Sequence, residues 1–389
     1  MTCLFWFVYS VFHLLWLSHA AALSFPFVPV DRSKRFHTSS LDAVTHHQRG
    51  WSSNDSRCSK AKEVAEEVEK NRRKSSSGRR AQGLGNVLFC LALAQGVAYP
   101  LGLDSVAALA MGIQVLAWIP SAWAQNEKFY DFTGMLTYMA VTVFSAVGFL
   151  RRFFGAEVAG LLSQQTEGLA GMSSFFSVVT TEAPRHLLAT ALVLVWTTRL
   201  GTFLFARIQR DGHDSRFDGV RERPVKFLLF WAVQAGSGVW VFFTPLPMLA
   251  LHHANPEGEY TSVIARDAIG LVIWAAGFCL EVVADSQKRA FKEDPSNSGS
   301  FIDIGLWSRC RHPNYVGEMV IWAGFFVFCS RGVVGGAGWL TLISPLFVTA
   351  LLVLISTPTL EQGADKKYGG QAAYQEYKRK TPSLTFRLF

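Results

Sequence analysis

The sequence predicts an all-α fold, a multi-pass transmembrane helical bundle of about 7–8 helices with an intramembrane cofactor pocket. Three observations lead there. Half of the 389 residues are hydrophobic and only 17% are charged, where soluble domains carry about 25%. The 31 Phe and 12 Trp residues suit a lipid boundary, where aromatic side chains collect. Apolar runs near the length needed to cross a bilayer, about 20 residues, recur along the chain, and lipid admits no open sheet edge, so these runs are read as helices. The same composition excludes a disordered chain, a collagen or a coiled coil.

The 37 Lys and Arg against 29 Asp and Glu leave a formal charge of +8. No nucleic-acid module accompanies this excess, so it is read as loop charge gathered on one side of a membrane and no nucleic-acid partner is expected. The cysteines Cys3, Cys58, Cys90, Cys279, Cys310 and Cys329 are scattered, without a Cys-x-x-Cys or a His at ligand spacing. Neither a disulfide framework nor a metal site is expected.

Four segments follow from composition. Residues 1–24 are a hydrophobic signal or targeting segment, ending in the small residues Ala20, Ala21 and Ala22. Residues 25–83 are a basic, Ser-rich presequence or linker expected to be disordered. Residues 84–127 hold the first transmembrane helices, and 128–389 form the catalytic domain. This leader suits the endoplasmic reticulum membrane; the alternative, a plastid membrane, follows from the Phe-led stretch at Phe25. Expected spans cover 84–100, 104–123, 132–150, 187–206, 226–250, 264–284, 315–332 and 338–357. The loops 207–226 and 285–314 and the tail are rich in Lys and Arg while 251–263 has none, which puts the first three on one face. Arg151 and Arg152 fall on the opposite face as an exception, and 155–185 is expected to hold an interfacial helix.

Charges at membrane depth are costly and point to function. Glu281, Asp285, Lys288, Arg289 and Lys292 recur at spacings of three and four, along one helix face or as a solvated helix end with internal ion pairs. The run Arg311-His312-Pro313-Asn314-Tyr315-Val316-Gly317-Glu318 opens an apolar helix. Pro313 suits the first turn, and Gly317 permits close approach of a ligand or a neighbouring backbone. Free amides at the helix start beside Arg311 and His312 can cradle phosphate, and Glu318 lies about a turn deeper; an interfacial anchor is the alternative use of such a block. Arg199 sits inside an apolar run, whereas Asp131 reads as a helix cap or a substrate contact with Tyr138 on the same side.

The order Asp-Phe-Thr-Gly (131–134), Thr-Arg-Leu-Gly-Thr-Phe-Leu-Phe-Ala-Arg (198–207), Arg-Phe-Asp (216–218), Ala-Asp-Ser-Gln-Lys (284–288), Arg-His-Pro-Asn-Tyr-x-Gly-Glu (311–318) and Leu-Glu (360–361) resembles the membrane family grouped with steroid 5-alpha-reductases. The likeness covers roughly 128–389, and its wider superfamily also holds sterol C14 reductases and isoprenylcysteine methyltransferases. The resemblance implies a helical membrane enzyme with NADPH lodged between helices. It implies that Asp285 and Arg289 lie on the cofactor-contacting face, that Arg311, His312, Asn314 and Tyr315 bind nicotinamide and phosphate, and that Glu318 lies near the substrate carbonyl. Cys310 departs from the family's usual Ser, and the amino-terminal substrate motif of true steroid reductases has no match.

The expected activity is therefore NADPH-dependent reduction of an activated C=C bond in a lipophilic steroid-, sterol- or isoprenoid-like substrate, with lipids as surroundings. The expected catalytic residues are Glu318, Tyr315 and Tyr138; the expected cofactor contacts are Arg199, Asp285, Lys288, Arg289, Lys292, Arg311, His312, Asn314 and Tyr315. Two rivals stand beside it: an S-adenosylmethionine-dependent lipid or isoprenylcysteine methyltransferase, and a non-enzymatic lipid-binding membrane protein. No Gly-x-Gly-x-x-Gly loop is present, so a soluble dinucleotide fold is excluded.

Overall fold

The computed structural model describes the backbone at residue 85 and over 104–163, 168–236, 265–330 and 342–387. The elements below lie in a compact unit, Cys90–Phe389. The expectations for 1–24, for 25–83 and for the span at 84–100 fall outside the described residues, Gly85 apart. Described residues form helices joined by turns, with no strand among them. Among the described residues, four helical stretches are long and apolar enough to cross a membrane: Asp104–Trp123, Arg185–Asp211, Ala265–Glu293 and Ser344–Tyr368.

Helix α1 (Asp104–Trp123) carries Asp104 in its first turn, where a carboxylate meets the positive helix end. It packs on α2 (Tyr130–Ser163), and the Gln114 amide donates to Thr137 Oγ1 at 3.0 Å. Helix α3 (Gly168–Asp211) follows after only a short connection. Over 155–185, where an interfacial helix is expected, the described residues are helical and continue α2 and α3, with no Pro before Pro184 to break the helical ladder.

Helix α4 (Pro224–Gly236) starts at a proline whose absent N–H costs nothing in a first turn. It closes an aromatic core with Phe217, Val220, Phe227 and Trp231, against which Trp118 of α1 and Tyr130 of α2 pack. The tilted and edge-on rings here, such as Tyr130 on Trp231 with centroids 5.2 Å apart, follow the quadrupole preference of aromatic pairs.

Helices α5 (Ala265–Glu293) and α6 (Pro313–Cys329) pack backbone to backbone. A methyl group at Gly277 would stand 2.6 Å from the Ile321 nitrogen, and one at Gly317 would stand 2.7 Å from the Glu281 nitrogen. Gly270 and Gly324 likewise face the backbones of Phe328 and Trp274. Small residues that let backbones touch are how helices associate where lipid removes the hydrophobic drive. Gly317 therefore serves a neighbouring backbone. Helix α7 (Ile343–Leu351) runs through a π turn, Leu352–Ser356, into α8 (Thr357–Tyr368), eleven residues beyond the end expected for this span. Helix α9 (Ala372–Lys380) ends the fold.

Candidate active site

The start of α6 is fastened by the carboxy-terminal segment. Arg311 donates to Glu361 Oε1 of α8 through Nε at 2.8 Å and Nη2 at 2.7 Å. Its Nη1 donates to the carbonyls of Lys378 at 2.8 Å and Thr381 at 2.6 Å. Backbone bonds from Arg311 to Pro382, from His312 to Ser383 and from Arg387 to Arg309 pair the tail with this loop. The buried His312 has its Nε2 at 3.2 Å from the same Glu361 oxygen. Burial pushes the His312 imidazole down to about 4 despite the opposing pull of Glu361. The ring is thus neutral at pH 7, with Nε2 carrying the proton it donates to Glu361. It stacks on Tyr315, centroids 5.5 Å apart.

Deeper in the bundle lies an acidic centre. Arg199 of α3 bridges two α5 carboxylates, at 2.6 Å to Glu281 and 2.7 Å to Asp285. Asn314 reaches the Asp285 carboxylate with its side chain. Glu318 of α6 lies within electrostatic range of Glu281, Asp285, Arg199, Tyr315 and Tyr138, and makes no hydrogen bond or ion pair among the described residues. Tyr138 of α2 is buried edge-on against Trp196, which is edge-on to Trp322. The Tyr315 hydroxyl reaches Ser356 in the π turn; such turns recur at functional sites.

Beside this centre, where α3, α5, α8 and α9 approach one another, a cavity of about 520 Å³ opens, within the range of small-molecule pockets. Its walls carry Arg210, Lys288, Lys292, Lys367 and Arg311 against two carboxylates, Asp211 and Glu361. Lys288 lies over the Trp307 ring at 4.4 Å, and Trp307 donates to the Ala284 carbonyl at 2.9 Å, next to Asp285. Phe301, Tyr374 and Tyr377 add a second aromatic wall. Burial raises the Tyr374 phenol to about 12 and also raises Tyr377, so both remain donors, to Asp365 and to the Trp307 carbonyl.

A third polar group joins α2 to the 212–223 loop. Asp131 accepts from Arg216 at 3.0 Å and Arg207 at 3.4 Å, and Glu127 pairs with Arg221 at 3.0 Å. Arg216 also grips Asp214 at 2.6 Å. Charge on Arg216 holds the Asp214 carboxylate below its usual range despite burial. Asp131 is therefore a loop anchor as well as a first-turn acid.

Of the residues singled out in the sequence, Arg199, Asp285, Asn314, Tyr315, Glu318 and Tyr138 surround the acidic centre. Lys288, Lys292, Arg311 and His312 line the cavity. Arg289 joins neither; it is exposed and stands 4.0 Å from Glu293. Four contributors, Glu361, Lys367, Tyr374 and Tyr377, carry little signal in the sequence. Glu361 was seen only as part of a Leu-Glu pair, yet it holds Arg311 and His312. Lys367 and the aromatic pair Tyr374 and Tyr377 carried only the signal of a basic tail. No group of three or more metal-ligating side chains gathers among the described residues.

Residues 165–381, more than half of the chain, match the family described as "Protein of unknown function (DUF1295)", a steroid 5-alpha-reductase-like family. The chain belongs to this family. The cavity and the acidic centre of this DUF1295 protein are built largely from the matched region, Tyr138 excepted. Among curated relatives, a probable O-methyltransferase of Ustilaginoidea virens is 36% identical over 69 residues, which cover 18% of this chain and 24% of that protein. A Delta(14)-sterol reductase of Mus musculus is 27% identical over 162 residues, covering 38% of this chain and 36% of that protein. The chain thus spans about a quarter and about a third of the lengths of these relatives. No solved structure gave a significant match.

Proposed function

We propose that this membrane protein is an oxidoreductase that reduces an activated C=C bond of a lipophilic steroid-, sterol- or isoprenoid-like substrate with NADPH. The observation that supports this best is the adjacency of a cation-rich, aromatic-walled cavity to an acidic centre that contains an unpaired carboxylate. Five cations against two carboxylates suit a polyanionic nucleotide. The residues present fit such a group: Lys288, Lys292, Lys367 and Arg210 would face phosphates, and Phe301, Tyr374 and Tyr377 offer faces for a base. Arg311 is already engaged by Glu361 and two carbonyls, so its part is to hold the cavity wall.

When bound, NADPH supplies a hydride and its two electrons. The chain does the rest. Lys288 and the His312–Tyr315 stack join the cavity to the acidic centre. Asp285, gripped by Arg199 and Asn314, orients the inner end of the ligand. Glu318 and Tyr138 flank a position for the substrate carbonyl, where a hydrogen bond that strengthens as negative charge develops lowers the barrier. Tyr315 orients the nicotinamide end or shares in that donation. The likeness to a sterol reductase supports a rigid, lipid-soluble enone as the substrate class.

The similarity to an O-methyltransferase favours a second reading, methyl transfer from S-adenosylmethionine. A near-neutral sulfonium cofactor gains less from the cavity's cations than a pyrophosphate does. Lipid binding without catalysis leaves both the cavity and the acidic centre without a use. For location, the hydrophobic leader at 1–24 supports the endoplasmic reticulum membrane, with a plastid membrane as the alternative. Thermal shift of detergent-purified protein separates the chemistries. The reductase reading expects stabilisation by NADPH, less by NADH and none by S-adenosylmethionine, together with enone-dependent NADPH oxidation. Stabilisation by S-adenosylmethionine alone overturns it.

A further inference from the structure

The acidic centre holds three carboxylates against two cations, Arg199 within it and Lys288 at its edge beside Asp285. Arg199 is the guanidinium within it, and Glu281, Asp285 and Glu318 all lie within its field. Glu281 is 2% exposed. Its Oε1 takes the Arg199 bond at 2.6 Å, while its Oε2 is buried without a hydrogen-bond partner. The Trp196 indole lies beside that carboxylate without closing a hydrogen bond. Gly317 packs on the Glu281 backbone and Cβ, which places Glu318, the next residue of α6, within electrostatic range of the Glu281 carboxyl.

The groups facing these two acids are Arg199 and Trp196 from α3, Asp285 from α5, Tyr315 from α6 and Tyr138 from α2. Asn314 is turned to Asp285. Arg199 is satisfied by Glu281 and Asp285 together, which leaves no counter-charge for Glu318. With Lys288 facing Asp285 alone of the three acids, Glu281 and Glu318 have only Arg199 between them, and two like charges in one low-dielectric enclosure are far costlier than a carboxylate and a carboxylic acid side by side.

We propose that Glu281 and Glu318 act as a carboxyl pair holding one transferable proton, with Glu281 as the relay behind Glu318. Its use rests on the reductase reading; its existence does not. Saturating an enone needs a hydride at the β-carbon and a proton at the α-carbon. The β-carbon takes the hydride from NADPH, which is oxidised, and the C=C π pair moves toward the carbonyl. With Tyr138 donating to the carbonyl oxygen, the α-carbon then forms its new C–H bond with the proton released by Glu318. The pair, now doubly ionised, regains a proton from water on Glu281 and passes it across. The unpartnered Glu281 oxygen is the atom that this relay requires and that the Arg199 bond leaves open.

Infrared difference spectra against pH, recorded on the full chain in lipid nanodiscs without cofactor, test this directly. A protonated-carboxyl band, sensitive to deuterium, is expected at neutral pH in the wild type and lost in both Glu318→Gln and Glu281→Gln. Glu281→Asp, which keeps the acid on a shorter arm, should retain a band at a shifted frequency. Absence of the band in the wild type, or its survival unchanged in Glu281→Gln, overturns the pair. If Glu281→Gln does not fold, an unshifted band in Glu281→Asp overturns it equally. Failure to bind NADPH while the band behaves as stated removes the reductase reading and leaves the pair standing. With NADPH and enone, Glu281→Gln is expected to slow steady turnover at least tenfold with little change in the NADPH needed for half-saturation.

Discussion

Helix α5 carries two buried acidic sites, and they are built on opposite rules. Near its start, Asp267 meets Arg185 at 2.9 Å, with side chains 1% and 6% exposed. Further along, Glu281 and Asp285 share Arg199 while Glu318 joins them from α6 with no cation of its own. A pair of opposite charges in one-to-one ratio balances its charge and ties two helices together. A centre with surplus carboxylate is electrostatically incomplete and keeps a place for protons or ligand donors. Burial alone does not separate structure from chemistry; the ratio of charges does.

The sharpest way to break this contrast is Glu318→Gln. Loss of a general acid or of a hydrogen-bond donor to a developing oxyanion costs about 100- to 10,000-fold in rate, so NADPH oxidation should fall at least 100-fold while NADPH still stabilises the protein. A variant with wild-type turnover would remove Glu318 from the site. Asp267→Ala probes the other rule. Leaving Arg185 buried without Asp267 should cost about 3–5 kcal/mol, visible as a lowered Tm. The variant that remains folded should keep the pH dependence of turnover unchanged.

His312 offers an intermediate effect with a defined sign. Its folded-state value of about 4 lies below the ordinary 6.5, so the unfolded chain binds the proton more readily. The stability owed to the neutral ring is complete above about pH 6.5 and is lost as pH falls toward 4. Wild-type Tm should therefore drop across that window more than the Tm of His312→Asn, and equal slopes would deny the buried neutral ring. The smallest expected effect is at the cavity. Lys292→Ala or Lys367→Ala should weaken NADPH about tenfold, roughly 1.4 kcal/mol of charge-assisted contact, with reduced sensitivity to salt. Arg289→Ala should leave affinity within twofold, since that side chain points away.

The sequence showed the helical class, the approximate place of α1, α5 and α6, and the Arg-His-Pro block, because hydropathy and a proline at a helix start are local signals. The α7–α8 run was placed too short, since its polar half, Thr357–Tyr368, lacks the apolar signal and is held by Glu361 and Lys378 bonds. Asp285, Lys288 and Lys292 were drawn together by helical spacing, and Arg289 was drawn with them. One residue is about 100° of helix rotation, enough to turn Arg289 out toward Glu293 while Lys288 turns in over Trp307. Glu361 lies 50 residues from Arg311 in sequence, and no periodicity reports a partner that distant. Arg185 and Asp267 each stand at the start of an apolar run, where a charge is ordinary. Only their meeting is informative, and that is a property of packing.

The glycines at 270, 277, 317 and 324 make the contact between α5 and α6 nearly incompressible. A rail of this kind fixes the positions of the backbones that carry Glu281 and Glu318 and leaves little room for tailoring on those two helices. On the proposed reductase reading, discrimination among lipids would then fall to the remaining walls, chiefly α1, α2 and α4. Exchanging those helices between relatives should alter which molecule is accepted while preserving the reaction performed on it.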